Sequence, residues 1–304
     1  EPVYYAPILP MLLINGSKGI GTGFSTDIPC FSPKKIVEYI RGKLNHVYNN
    51  KFDDMLYYEG FKGTITKTDD NKYLIKGCCE LISEDKIRVT ELPIGIWTDD
   101  YKAYLETLIK SRVVREIEDN STEKDVSITI TFFKGELAKT DEKILKLSTT
   151  KAITNMHAFD AEENLKKYNE PVDIIDEFYV KRIEIYHKRK NKQLEDGYMK
   201  LNKMSNKARY IKCLLEDELD LRKKKNEEIV EVMTNMNFDK IDDNYNYLIK
   251  MPMDSVSEEN VEKILKEQDD LSKFLEELKH KTVESIWLDE LDKFEKEYDK
   301  KYSI

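Results

Sequence analysis

The stretch LLINGSKGIGTGF, Leu12 to Phe24, sets Gly16, Gly19, Gly21 and Gly23 around a single large apolar side chain, Ile20. A dinucleotide-binding fold needs G-x-G-x-x-G running straight into a helix whose N-terminus takes the pyrophosphate. Here the glycine spacing differs, and Asp27-Ile28-Pro29 stands where that helix would begin. A P-loop needs Gly-Lys-Ser/Thr, whereas Lys18 is followed by Gly19. Both nucleotide readings fail. What remains is a tight hairpin or turn whose small residues let another backbone approach closely, with Ile20 held at its tip. Two readings of Ile20 stay open: a buried isoleucine under a core turn, or an apolar wedge of the kind that enters between base pairs and bends DNA.

Working outward, the chain of 304 residues is 40% hydrophobic and 36% charged, enough for one large or two modest domains. Only 11 glycines and 8 prolines argue for regular structure rather than disorder. Neither an apolar run of about 18 residues nor a signal peptide is seen, so a soluble intracellular protein is expected. Cys30, Cys78, Cys79 and Cys213 fit neither a disulfide framework nor a zinc site. His46, His157, His187 and His280 are scattered, without metal or triad spacing. The net charge of -9 is uneven: residues 1–155 hold 22 basic and 23 acidic side chains, the rest 28 and 36. The first half is therefore the half able to face phosphate. Glu1-Pro2, leading into Tyr4-Tyr5 without a methionine, reads like a chain entered in mid-domain.

The pattern changes near residue 160. Ser32-Pro33 predicts a helix start, followed by Ile36, Val37, Ile40 and Leu44 on one face. FKGTIT, KYLIKG, KIRVTELP and VSITITFF read as strands, and the segment from Thr98 as a helix. Beyond Pro171, Leu194, Tyr198, Leu201, Ala208, Ile211 and Leu215 recur at helical steps. A second series runs Val261, Ile264, Leu271, Leu275, Leu278, then Leu288, Leu291, Phe294 and Tyr298. Between them lie a short amphipathic segment, Ile229 to Met236, and YNYLIKMPM from Tyr245. An antiparallel pair of long helices carrying a small domain is expected.

Several long blocks carry a resemblance: YYAPILPMLLINGSKGIGTGFSTDIP, GFKGTI, TELPIGIWTDDYK, KLSTTKAITNM, LNKMSNKARYI, YNYLIKMPM and SIWLDELDKFEKEY. In this order they resemble the DNA-cleavage core of type IIA DNA topoisomerases, from the segment after the winged-helix domain onward. The IGTG core resembles the eukaryotic and large-DNA-virus branch rather than the IAVG of bacterial gyrase-type relatives. The resemblance implies an α+β fold: the end of a winged-helix region with an intercalating glycine loop at 1–30, and a mixed α/β tower domain at 31–160. A long antiparallel coiled coil would come next at 161–304, carrying a small helical dimerising C-gate at about 220–260.

By the same resemblance, Ile20 intercalates into the cleaved duplex. The segment Lys146, Leu147, Ser148, Thr149, Thr150, Lys151, Ala152, Ile153, Thr154 and Asn155 contacts DNA, and its own chemistry agrees, being rich in lysine and hydroxyls without a carboxylate. Lys18, where the family often has an acid, adds a phosphate contact, and Phe24 stands where Trp is usual. Tyr245, Tyr247, Leu248, Ile249 and Met251 form the apolar cluster expected to dimerise at the C-gate. Implied partners are double-stranded DNA and a second copy of the chain, with no membrane; Mg²⁺ and ATP are implied for the full-length enzyme. The setting would be the nucleus, or a viral factory or the cytoplasm for a viral protein. The family's nucleophile, a tyrosine directly after an arginine, is expected upstream. Arg209-Tyr210 lies in a block matching the helical arm and Tyr5 lacks the arginine, so no catalytic residue is assigned and the chain alone is expected to be inactive. A coiled-coil dimerisation scaffold that never touches DNA is the alternative; it explains the helices but not the glycine loop.

Overall fold

The computed structural model describes residues 5–221, 224–252 and 255–302; Tyr4 and Met253, both in the resembling blocks, lie outside them. The chain forms two compact units. One runs to Lys181 and takes the chain back from Leu291, and the other is Arg182–Glu290. The architecture is α+β, with every sheet antiparallel.

The first unit opens with the short helix α1 (Met11–Asn15) and the hairpin β1 (Ser17–Gly21) and β2 (Phe24–Ile28). Gly16 joins α1 to β1 at φ 68°, and a Cβ there would sit 2.8 Å from the Ile28 carbonyl oxygen, so the position needs glycine on two counts. The expected helix is α2 (Pro33–Leu44), with Ile36, Val37, Ile40 and Leu44 all buried. Ser32 occupies its N-cap position but makes no capping hydrogen bond, so Pro33 at N1 and the apolar face carry the start.

Two sheets come next. β3 (Thr64–Asp69), β4 (Lys72–Lys76) and β9 (Ser148–Ala152) pair in that order. The larger sheet orders β5 (Cys78–Ser83), β6 (Lys86–Glu91), β8 (Ile128–Phe132) and β7 (Val114–Asp119). Every residue of β8 is buried, as a central strand covered on both faces requires. Helix α3 (Thr98–Lys110) contributes Tyr101, Leu105 and Leu108 to the core this sheet builds with Val89, Ile128, Ile130 and Phe132. The hairpin β10 (Met156–Phe159) and β11 (Leu165–Tyr168) completes the strands. The returning residues 291–302 dock through Arg41, which pairs with Asp292 at 2.7 Å and with Glu295, and through Lys34–Asp299 at 2.6 Å.

The second unit is helical. It receives the later part of α4 (Pro171–Leu215), then α5 (Asn226–Asn235), α6 (Asn246–Ile249), α7 (Glu258–His280) and the opening of α8 (Val283–Tyr302). Tyr186 stacks near Trp287 at 5.4 Å, Lys190 donates to the carbonyls of Lys279 (3.0 Å) and Lys281 (2.5 Å), and Gly197 faces Leu275. Numbers rise on one side as they fall on the other, so the pair is antiparallel. The first predicted stripe is only partly a seam. Of its members Ala208 and Ile211 are buried, as is Met204 outside the predicted series, whereas Tyr198 and Leu215 are more than 40% exposed. A helix bearing this many lysines keeps a narrow apolar face, so the extended series overshoots it.

Tyr210, Cys213, Leu219, Ile229, Met233, Phe238, Tyr245 and Leu248 form a separate core within this unit. Two of the residues expected at the dimer interface belong to this core. Tyr245 at 3% and Leu248 at 0% exposure are interior, and Tyr247, Ile249 and Met251 pack half-buried against them. The dense apolar cluster in the sequence is thus first the unit's own core, because a small helical unit has few other side chains with which to fill one.

Candidate nucleic-acid interface

The β1–β2 hairpin places Ile20 opposite Ser25, and Gly21 opposite Phe24. The two residues at the turn are Thr22 and Gly23, and of these only Gly23 has positive φ, at 89°, where a type II turn needs glycine. Ile20 therefore stands on the strand just before the tip, not at the tip itself. It is 92% exposed, which removes the buried-core reading. Gly19 leaves the neighbouring space open, with no heavy atom within 4 Å of an added Cβ, whereas a Cβ added at Gly21 would fall 2.8 Å from the Phe24 ring. An isolated two-stranded hairpin is marginal in water, so something must brace this one.

The brace is the predicted lysine–threonine segment together with strand β10. The Asp27 amide donates to the Asn155 carbonyl at 2.8 Å, and Asn155 Nδ2 donates to Ser25 Oγ at 3.0 Å. Lys151 Nζ reaches Asp27 at 2.5 Å, with the two side chains 23% and 31% exposed. Phe24 meets Phe159 edge-on at 6.0 Å, and His157 Nδ1 lies 2.9 Å from Asn155 Oδ1. Burial drives the Cys30 thiol pKa up, partly offset by Lys151, so the sulfur beside Gly16 stays neutral. Two stretches more than a hundred residues apart are thus joined, a link no spacing in the sequence announces. Asp27, Ser25 and Phe159 are the residues that sequence reasoning misses.

Strand alternation then sorts the segment. Thr150, Ala152 and Thr154 are exposed, while Leu147 (2%) and Ile153 (1%) are core residues whose side chains face inward. Thr149 Oγ1 donates to the Ile94 carbonyl at 3.2 Å, and Ser148 is half-buried. Contact through Leu147 or Ile153 side chains is therefore closed off. Lys146 is exposed, with its ammonium 3.7 Å from the centre of the Tyr104 ring, a cation–π placement. Lys18 is exposed and has no ion pair among the described residues. β1 offers the projecting Ile20 and Lys18, β9 offers the exposed Thr150 hydroxyl, and neither strand contains a carboxylate. This arrangement suits a phosphate-lined groove.

A family model for the A-type subunit of DNA gyrase/topoisomerase IV matches residues 1–292. The chain belongs to that topoisomerase family. It is 34% identical to DNA topoisomerase 2 of Arabidopsis thaliana over 99% of this chain and 24% of the relative. DNA topoisomerase 2 of Acanthamoeba polyphaga mimivirus is 30% identical over 98% of this chain and 30% of the relative. The crystal structure of the Plasmodium falciparum topoisomerase II DNA-binding, cleavage and re-ligation domain superposes with a TM-score of 0.89 at 30% identity, over 100% of this chain and 46% of that one. The chain thus spans about a quarter of the length of the curated topoisomerases it matches.

In a topoisomerase, an Arg-Tyr pair invites assignment as nucleophile. Arg209-Tyr210 does not have the surroundings for it. Tyr210 is 5% exposed in the second unit's core, edge-on to Phe238 at 6.1 Å, and burial raises its pKa. Arg209 lies over the same Phe238 ring at 4.2 Å and donates to the Asn237 carbonyl at 2.5 Å. Both are packing residues. Asp160, Glu162 and Glu177 form the one close carboxylate group among the described residues. Asp160 accepts from the Glu162 and Asn164 amides, Glu177 pairs with Lys166 at 2.7 Å, and Glu162 pairs with Lys181 at 3.5 Å. These acids are already occupied by a turn and by ion pairs. Among the described residues, no helix is long and apolar enough to cross a membrane.

Proposed function

We propose that this chain is the part of an ATP-dependent type II DNA topoisomerase that bends and holds the gate duplex, with the tower near 31–160 and a homodimeric exit gate near 220–260. The whole enzyme would pass one duplex through a transient double-strand break in another, in the nucleus or, for a viral protein, in a viral factory or the cytoplasm. The observation that carries the reading is Ile20, 92% exposed on a glycine strand that is itself braced. Leaving a large apolar side chain in water gains a monomer nothing. Inserted between base pairs, it recovers about 2 kcal/mol of burial against an unstacking cost of a few kcal/mol. The bent duplex regains the remainder from further basic contact. Mg²⁺ and ATP belong to the whole enzyme. The occupied acids at Asp160, Glu162 and Glu177 do not fit a catalytic Mg²⁺, and the glycine loop does not fit a nucleotide. No bond-breaking step is therefore assigned to this chain, and it should neither relax nor cleave plasmid alone.

The test is Ile20→Ala in the full-length enzyme, with bending read by energy transfer between end-labelled duplex arms. Losing about 2 kcal/mol lowers the bent-to-straight ratio by about 30-fold. Salt-sensitive binding persists, and the melting temperature stays put because the side chain is 92% exposed. Intact bending by a folded variant would leave the DNA-free dimerisation scaffold as the better account.

A further inference from the structure

The acidic balance of the second half hides a local reversal. From Gly197 to Leu215, α4 carries Lys200, Lys203, Lys207, Arg209 and Lys212 without a single Asp or Glu. Lys200, Lys203 and Lys207 fall at helical steps of three and four, on one face. That face lines a cavity of about 540 Å³ that Lys263 of α7 also enters, with Glu267 the one acid on its wall among the described residues. Met204, Met251, Pro252 and Ile264 supply apolar surface. Lys200, Lys203 and Lys263 are exposed and Lys207 is half-buried. None of the four has an ion pair among the described residues, whereas Lys192, earlier on the same helix, pairs with both Glu195 and Asp196. Four like charges gathered with no ion pair among the described residues repel one another, which is a cost unless an anion joins them.

We propose that this lysine face of the second unit is a further nucleic-acid contact, binding the phosphate backbone of duplex DNA at a site separate from the Ile20 hairpin. Seven residues of helix span about 10.5 Å at 1.5 Å per residue. One strand of a duplex advances about 3.4 Å per phosphate, so Lys200 to Lys207 covers about three successive phosphates. The extent favours a backbone over a compact anion. The inference rests on the DNA-gate reading in the sense that a chain which bound no DNA would have no use for the face.

The experiment compares the 304-residue chain with the triple variant Lys200→Gln/Lys203→Gln/Lys207→Gln, following anisotropy of a labelled duplex across a salt series. Three lost phosphate contacts reduce the slope of log K against log salt by about 2.7. From about 50 to about 200 mM salt, the parent should therefore lose about 40-fold more affinity than the variant. Lys192→Gln, already paired, should match the parent, and unchanged melting temperatures would exclude misfolding. An unaltered slope in the triple variant, with parent binding still strongly salt-dependent, overturns this inference and leaves the DNA-gate reading intact. Inorganic triphosphate binding that the triple variant abolishes without changing the duplex slope also overturns it, making the cavity a small-anion site. A parent chain showing no salt-dependent duplex binding at all would sink both readings.

Discussion

Lys151→Met removes the cation that ties β2 to β9, and its effect can be worked from the geometry. The Lys151–Asp27 contact is 2.5 Å with the side chains 23% and 31% exposed, between the surface and interior regimes. Exposed pairs contribute about 0.2–1 kcal/mol, and breaking a buried pair costs about 3–5 kcal/mol. A value near 1–2 kcal/mol is expected, or about 3–6 °C in melting temperature for a unit of this size. Asp27→Ala should cost a similar amount. The double variant should cost less than the sum by about 1 kcal/mol, as coupled neighbours do. Thermal unfolding by circular dichroism gives the cycle, and the duplex-bending assay gives its functional side. The two single variants also separate bracing from phosphate contact. If Lys151 acts by holding the hairpin, both reduce bending, since either frees β2. If instead it touches phosphate, Lys151→Met weakens bending while Asp27→Ala, which unmasks the cation, preserves or strengthens it. Additive energies within about 0.3 kcal/mol, together with normal bending in both, would refute the brace.

Gly197→Ala should destabilise the second unit despite alanine's helix advantage of about 0.5–1 kcal/mol, because the new Cβ falls 2.3 Å from Leu275 Cδ2 and overpacking costs about 1–3 kcal/mol. In a Leu275→Ala background the same change should become stabilising, a reversal that urea unfolding would read. Leu248→Ala, at a position with 0% exposure, should cost about 2–5 kcal/mol and unfold the second unit before it changes any dimer, with sedimentation and circular dichroism read together. Hydrogen bonds from Ser121, aided by Lys102, lower the Asp119 pKa to about 2. Since the folded value lies below the ordinary 3.8, its stabilising contribution is complete above pH 4 and lost as pH falls towards 2. Ser121→Ala should move the titration midpoint, followed by carboxyl NMR, upward.

Local patterns were legible where one segment alone decides them. The glycine spacing excluded phosphate loops, the apolar steps of Ile36, Val37, Ile40 and Leu44 marked α2, and VSITITFF marked a strand, because period and turn chemistry act over a few residues. β5 escaped notice because it is exposed at all but its first residue, leaving no alternation to read. The single large apolar residue among glycines was visible as well, but not which way it points. Exposure is set by neighbours distant in the chain, and only the folded unit shows that Ile20 stays exposed while Asn155, Lys151 and Phe159 hold its hairpin. The same limit explains Tyr245 and Leu248. Hydropathy marks a side chain as wanting burial without saying whether its own unit or a partner supplies it. The lysine face of α4 reverses the lesson: its charge is plain in the sequence, yet averaging over an acidic half conceals it until helix geometry and Lys263 of α7 gather the cations around one cavity. Short-range pattern marked the strongly periodic elements and pointed to the family. Tertiary structure decided which side chains remain available to a partner, because availability is what packing leaves over.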